Sequence, residues 1–278
     1  MQTHARTSRH DLPLHIVLGV AAVLTFYPFI FLLISSFKTS PQFLHNFWGI
    51  SLPPEPLNYV DAWNRVSPYV LNSLFVSLVT MALVLLIASV TAFVFARYSF
   101  PGREVLFFAI LALLMIPGVL TLVPAFLLVK SFGLLNTYWA LILPYTAGGQ
   151  VLAIFILRSF IASLPEELFE SARIDGASMW HLYSRIAVPL SMPILVTIAI
   201  MNILGTWNDY IWPLVTIPDG RRWTISVGIV SFGSQYMGME NWGPMFAGYV
   251  IASVPLIILF LFTMRYFIAG LTSGAIKA

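Results

Sequence analysis

The chain has 278 residues, of which 59% are hydrophobic and 9% charged, and its formal net charge is +3. A soluble domain carries about 25% charged residues, so this composition excludes a water-soluble globule: too little polar side chain exists to cover its surface. The absence of cysteine excludes disulfides and thiolate metal sites, and the five histidines have no ligand-like spacing. The small basic excess fits cytoplasmic flanks of membrane helices and not nucleic-acid binding.

Residues 1–13 are short and polar, with Arg6 and Arg9, and read as a cytoplasmic N-terminal segment ahead of a retained helix. A membrane span needs about 20 apolar residues. Six stretches qualify: Leu14–Phe37, Val70–Phe95, Val105–Val129, Tyr138–Phe160, Pro193–Trp212 and Met245–Phe267. They are apolar all round and lack the alternation of a barrel strand, so the predicted class is an all-α integral membrane protein with six transmembrane helices. The membrane domain is expected over 14–268 and a polar, glycine-bearing tail over 269–278. Pro117, Pro124, Pro144, Pro193 and Pro255 predict bends in or at the ends of these helices.

With the N-terminus inside, nine Lys and Arg residues fall in inner segments and five in outer ones. That bias predicts both termini in the cytoplasm. The outer segments 38–69 and 213–243 read as loops rich in proline and in glycine and aromatics, respectively. The inner segment 161–188 holds four of the eleven acidic residues.

Within that inner segment, Ser163 and Glu166 have capping-box spacing, Pro165 suits a first helical turn, and Glu166 and Glu167 sit at the positive end of a helix dipole. Gly176 fits the left-handed residue that closes a helix, and Ser178 can cap a second one. The prediction is a short capped helix with Leu168, Phe169 and Ala172 on one face: a rigid knob for another protein.

The run Glu170-Ser-Ala-Arg-Ile-Asp-Gly-Ala-Ser178, followed by Ile186-Ala-Val-Pro-Leu-Ser-Met-Pro193, resembles the EAA loop of bacterial ABC-importer permeases. Ser171 and Val188 depart from that pattern by small or apolar exchanges. Ser35-Ser-Phe-Lys38, Asn72-Ser-Leu74, Trp207-Asn-Asp-Tyr-Ile-Trp-Pro-Leu214 and the tail from Arg265 to Lys277 extend the resemblance to carbohydrate importers of the maltose-permease second-subunit type. The resemblance implies a type I ABC importer permease fold in a bacterial-type inner membrane. It also implies a homologous second permease, two copies of an ABC ATPase, an extracytoplasmic solute-binding protein and a sugar substrate. Glu166, Glu167, Leu168, Phe169, Glu170, Ser171, Ala172, Asp175 and Gly176 would form the ATPase-coupling element, with Leu168 and Phe169 filling the partner's cleft. The tail would reach the ATPase dimer.

The chain has no phosphate-binding G-x-x-x-x-G-K-[ST] loop, so ATP and Mg are expected on the ATPase and no cofactor, metal or catalytic residue on this chain. Polar residues in spans face a cavity or a neighbouring helix. Asn72, Gln150, Asn202, Trp207 and Asn208 are the candidates for the substrate path, and Asp209 for capping or for pairing with Arg221 or Arg222. Two rival readings stand beside this one: a secondary transporter, which would usually show an intramembrane ionisable residue, and a structural membrane protein, which would not need the inner knob.

Overall fold

A computed structural model of the chain describes residues 12–238 and 241–275, with side chains described over 13–238 and 241–264. The expected segment 1–13 lies almost wholly outside the described residues, as do the last three residues of the expected tail. Thirteen α-helices follow one another among the described residues, and no strand occurs there. They are α1 (Leu12–Ser35), α2 (Ser40–His45), α3 (Leu57–Arg97), α4 (Arg103–Ala112), α5 (Gly118–Ser131), α6 (Trp139–Ala162), α7 (Glu166–Ile174), α8 (Met179–His181), α9 (Val188–Leu190), α10 (Met192–Asn208), α11 (Ile211–Thr216), α12 (Ile225–Gly238) and α13 (Trp242–Ala275).

Helices α1, α3, α6 and α13 are long and apolar enough to cross a membrane. Two bent pairs raise the number to six if each counts as one span, so the third and fifth expected spans are not straight. Arg103–Met115 meets Gly118–Ser131 at 101°. Pro117 forces Ile116 into an extended conformation, φ −84° and ψ 115°, and the helix must stop there. Met179–Leu190 meets Met192–Asn208 at 74°, across Ser191. The fifth span ends at Asn208, four residues earlier than expected, because Asp209 is extended and its carboxylate Oδ1 accepts from the Trp212 amide of the next helix at 3.3 Å. Pro124, Pro144 and Pro255 lie inside helices that continue through them.

Both expected outer loops contain helix. Helix α3 starts at Leu57, ahead of the apolar run, with Asn58, Ala62 and Val66 buried at four-residue spacing. Helix α12 fills much of 213–243. At the other end α13 runs to Ala275, so the helix of the last span continues into the polar tail expected to begin at 269. Gly270 and Gly274 each weaken a helix by only about 1 kcal/mol and do not stop it.

The chain divides into two compact units, one within Met1–Ser67 and Ile229–Ser253, the other within Pro68–Gly228 and Val254–Ala278. In the first, Lys38 is 1% exposed and its ammonium donates to the carbonyls of Asn46 at 2.8 Å and Phe47 at 3.0 Å. Asn58 donates to the carbonyls of Ser36 and Lys38. The rings of Phe31, Phe43, Phe47, Trp242 and Phe246 pack around them. In the second unit, buried Val84, Ala88, Phe93, Leu157, Phe169 and Leu195 belong to one core that joins α3, α6, α7 and α10.

Candidate functional site: an inner lever and a polar seam

The inner segment forms the predicted knob, with one change at its start. Ser163 remains the C-terminal cap of α6, its hydroxyl donating to the Phe160 carbonyl at 2.7 Å, so the capping box with Glu166 does not form. Glu166 is instead held by Arg97 and, at 3.3 Å, by Arg173. Two guanidinium partners leave its carboxylate no reason to turn back to a backbone amide. Helix α7 ends as expected. Gly176 has φ +81°, its amide donates to the Arg173 carbonyl at 3.0 Å, and the Ala177 amide reaches the Ala172 carbonyl at 2.9 Å. These are the two bonds of a Schellman cap, which needs a residue without a Cβ penalty at the left-handed position. Ser178 caps α8, accepting from the His181 amide at 3.3 Å.

Phe169 is fully buried in this chain's own core, with the Arg97 guanidinium over its ring at 4.0 Å, and so cannot fill a partner's cleft. The apolar residues that α7 and α8 do present are Leu168, Ile174, Met179 and Trp180, with Ile174 86% exposed. Glu167, Glu170, Ser171 and Asp175 are exposed around them, and Ala172 is half-buried against the core. The outer face is therefore acidic with apolar anchors.

Arg97 is the residue that sequence reading missed, having counted it only as a basic flank. Its side chain is 5% exposed. One amine donates to the carbonyls of Ile161 at 2.6 Å and Leu164 at 2.7 Å, in the turn where α6 ends. Arg97 thus pins the lever to the end of α3. No local pattern could have found it, since its partners lie 64 to 69 residues away.

The five path candidates separate. Asn72 is saturated: its amide donates to the carbonyls of Arg221 at 3.0 Å and Trp223 at 2.9 Å and accepts from the Tyr138 hydroxyl at 2.8 Å. It is a structural clamp. Trp207 is 4% exposed and lines an apolar groove with Pro255 and Leu259. Asn208 donates to the Leu204 carbonyl of its own helix at 2.8 Å. Gln150 and Asn202 behave differently. Both polar atoms of the Gln150 amide, Asn202 Oδ1, Thr80 Oγ1 and Thr146 Oγ1 are buried with no hydrogen-bond partner. Gly149 lets the helices approach closely, since a Cβ there would lie 2.9 Å from both Asn202 Nδ2 and Val84 Cγ2.

Asn202 also lines a cavity of ≈ 440 Å³ between α6 and α10, with Tyr145, Gly148, Gly149, Thr206 and Asp209. A second cavity of ≈ 830 Å³, between α5 and α6, shares Tyr145, Gly148 and Asp209. Asp209 is the acidic residue lining both, and its Oδ2 accepts from the Tyr145 hydroxyl at 2.9 Å. It does not pair with the arginines: Arg221 binds Asp219 at 3.1 Å, and Arg222 donates to the Asn136 carbonyl at 2.8 Å.

Comparison with known proteins gives this architecture a family. Residues 84–273 match the family described as binding-protein-dependent transport system inner membrane component. The chain is 37% identical over 254 residues to the probable ABC transporter permease protein YurM of Bacillus subtilis (strain 168), covering 90% of this chain and 83% of that relative. It is 33% identical over 267 residues to the diacetylchitobiose uptake system permease protein NgcG of Streptomyces coelicolor, covering 95% and 88%. Its fold matches a chain in the crystal structure of a bacterial ABC transporter involved in the import of the acidic polysaccharide alginate, with a TM-score of 0.79 at 20% identity over 94% of this chain and 99% of that one. The all-α importer permease fold expected from the sequence is the fold found. The chain belongs to the binding-protein-dependent transport system inner membrane components, and it is a permease subunit of a transporter, not an enzyme.

Proposed function

We propose that this chain is the permease subunit of an ATP-driven importer for a sugar, that it forms half of the translocation path, and that it takes up work through the lever α7–α8. The observation that carries the coupling role is the lever itself: a nine-residue helix fixed at its base by Arg97, closed by Gly176, and presenting acidic and apolar side chains outward. Among the described residues its far face has no partner while its near face is locked to the bundle, and a helix held in that way transmits force. The sugar assignment draws support from NgcG, whose name assigns it to diacetylchitobiose uptake.

The family's dependence on a binding protein supports the remaining parts of the proposal. A second homologous permease closes the path, two ATPase copies hold ATP and Mg, and an extracytoplasmic solute-binding protein delivers the substrate to the outer segments. Both termini lie in the cytoplasm, as the Lys and Arg bias indicates. Gln150 and Asn202 are the side chains of this subunit that serve the path, because the buried Gln150 amide and Asn202 Oδ1 have no partners, which is costly, and sugar hydroxyls can donate to their oxygens and accept from the Gln150 nitrogen. Co-purification tests the reading. The affinity-tagged chain, extracted from a membrane expressing the whole operon, should bring down an ABC ATPase and lose it on Glu170→Lys. Recovery of the chain without any ATPase would refute the assignment.

A further inference from the structure

The lever joins the fifth span through a six-residue π-helical segment, Leu182–Ala187, set between α8 and α9. π-Helices are rare, occur mostly as single turns, and recur at functional sites. Tyr183 lies in this segment. Its hydroxyl bonds Ser89 of α3 at 2.8 Å in a buried contact, and its ring packs on Phe93 and Trp180. Eight residues on, at the 74° break that begins α10, Ser191 is 1% exposed and its hydroxyl has no partner. Ser89, Tyr183 and Ser191 surround one void too small to admit water. One hydroxyl of the three is therefore unpaired in this conformation, and solvent cannot supply the missing bond.

We propose that the Tyr183 hydroxyl is a two-position switch: it bonds Ser89 of α3 in the conformation seen here and Ser191 of α10 when the lever moves. The proposal rests on the coupling role assigned above. A π-segment supplies the motion, because it carries an extra residue relative to an α-turn. Its relaxation to α-helix advances the lever by one residue, about 100° of rotation and about 1.5 Å of rise. Handing the tyrosine from α3 to α10 keeps one tyrosine bond made in each state: Ser191 gains its missing partner, while Ser89 keeps its bond to the Leu86 carbonyl of its own helix at 3.2 Å. Tyr183 is then a positioning residue that decides which span the lever pulls.

The test uses the assembled transporter in nanodiscs. The chain has no native cysteine, so Met201→Cys, in the wall of the 440 Å³ cavity, gives this chain a single reporter for a thiol reagent, read on its own band after separation of the subunits. In that parent, the labelling rate should differ between the nucleotide-free and the vanadate-trapped states. Ser191→Ala should shrink the difference by about five-fold or more, the worth of one net hydrogen bond, while ATP hydrolysis persists. Ser191→Thr, which keeps the hydroxyl, should retain it, and Tyr183→Phe should behave as Ser191→Ala. A merely structural serine gives the opposite result, since removing an unpaired buried hydroxyl leaves stability and response unchanged or improved. Ser191→Ala responding like the parent overturns the switch, whatever becomes of Tyr183→Phe. Failure of the coupling reading shows differently: the parent itself then gives no nucleotide-dependent change.

Discussion

Replacing Arg97 by alanine should free the lever from the bundle without unfolding the bundle. The guanidinium, 5% exposed, donates to two carbonyls at the end of α6, lies over the buried Phe169 ring and pairs with Glu166. Hydrogen bonds to a charged group contribute about 1.5–3 kcal/mol each, and the stacked cation about 1 kcal/mol. The Glu166 pair adds little, because that carboxylate is half-exposed and screened. These contributions are not additive, and about 4 kcal/mol is a fair total for the loss. Hydrogen exchange on the complex in nanodiscs reads it directly. Amides of α7 should lose protection by about 10²–10³-fold, since each 1.4 kcal/mol is about tenfold, while those in the middle of α6 stay as they were. Arg97→Lys should recover less than half, because an ammonium cannot both fork to two carbonyls and stack on a ring. Glu166→Gln should change protection by less than about five-fold. Unaltered exchange of α7 in Arg97→Ala would show that the lever is held by something else and refute the reasoning.

Gly176→Val should insert and assemble but lose ATP-driven uptake; a Cβ there meets nothing within 4 Å, so the damage comes from φ +81° alone, and Gly176→Asn should retain most activity in the same assay. Phe169→Ala should destabilise the purified protein by about 3–5 kcal/mol, as expected for a fully buried ring, seen as a lower midpoint of thermal unfolding in detergent. Asn72→Ala removes three hydrogen bonds and should cost about 2–4 kcal/mol in the same measurement, with the half-saturating solute concentration for uptake unchanged. Gln150→Leu should raise the unfolding midpoint slightly, because it removes two unpaired buried polar atoms, and should lower the uptake rate; wild-type uptake would remove Gln150 from the path.

Hydropathy read the six apolar runs but not their directions. It counts residues in a window, and so treats Val105–Val129 as one rod although Pro117 turns it through 101°. The outer segment was misread as loop because its prolines outweighed a weaker signal, the four-residue spacing of Asn58, Ala62 and Val66 that marks a buried helical stripe. The closing turn of the lever was legible because Gly176 and Ser178 act on their immediate neighbours. Its start was not, because Glu166 answers to Arg97 across 69 residues. Phe169 shows a further limit. An amphipathic helix declares that one face is apolar, not whether its own chain or a partner covers that face, and here its own core does. The sequence marks the polar residues of the spans by their cost in lipid and says nothing of their partners. Only contacts separate a saturated clamp such as Asn72 from the unpaired Gln150 amide and Asn202 Oδ1.

The central claim is that α7 docks on an ATPase, and one cross-link tests it most directly. Ser171 is exposed on the outer face of α7, and the chain has no cysteine of its own, so Ser171→Cys carries a unique attachment point. Loaded with a short photoactivatable reagent in native membranes, it should yield an adduct with an ABC ATPase whose amount changes when nucleotide is trapped. Adducts with lipid alone, or none at all while the protein remains inserted and folded, would contradict the account.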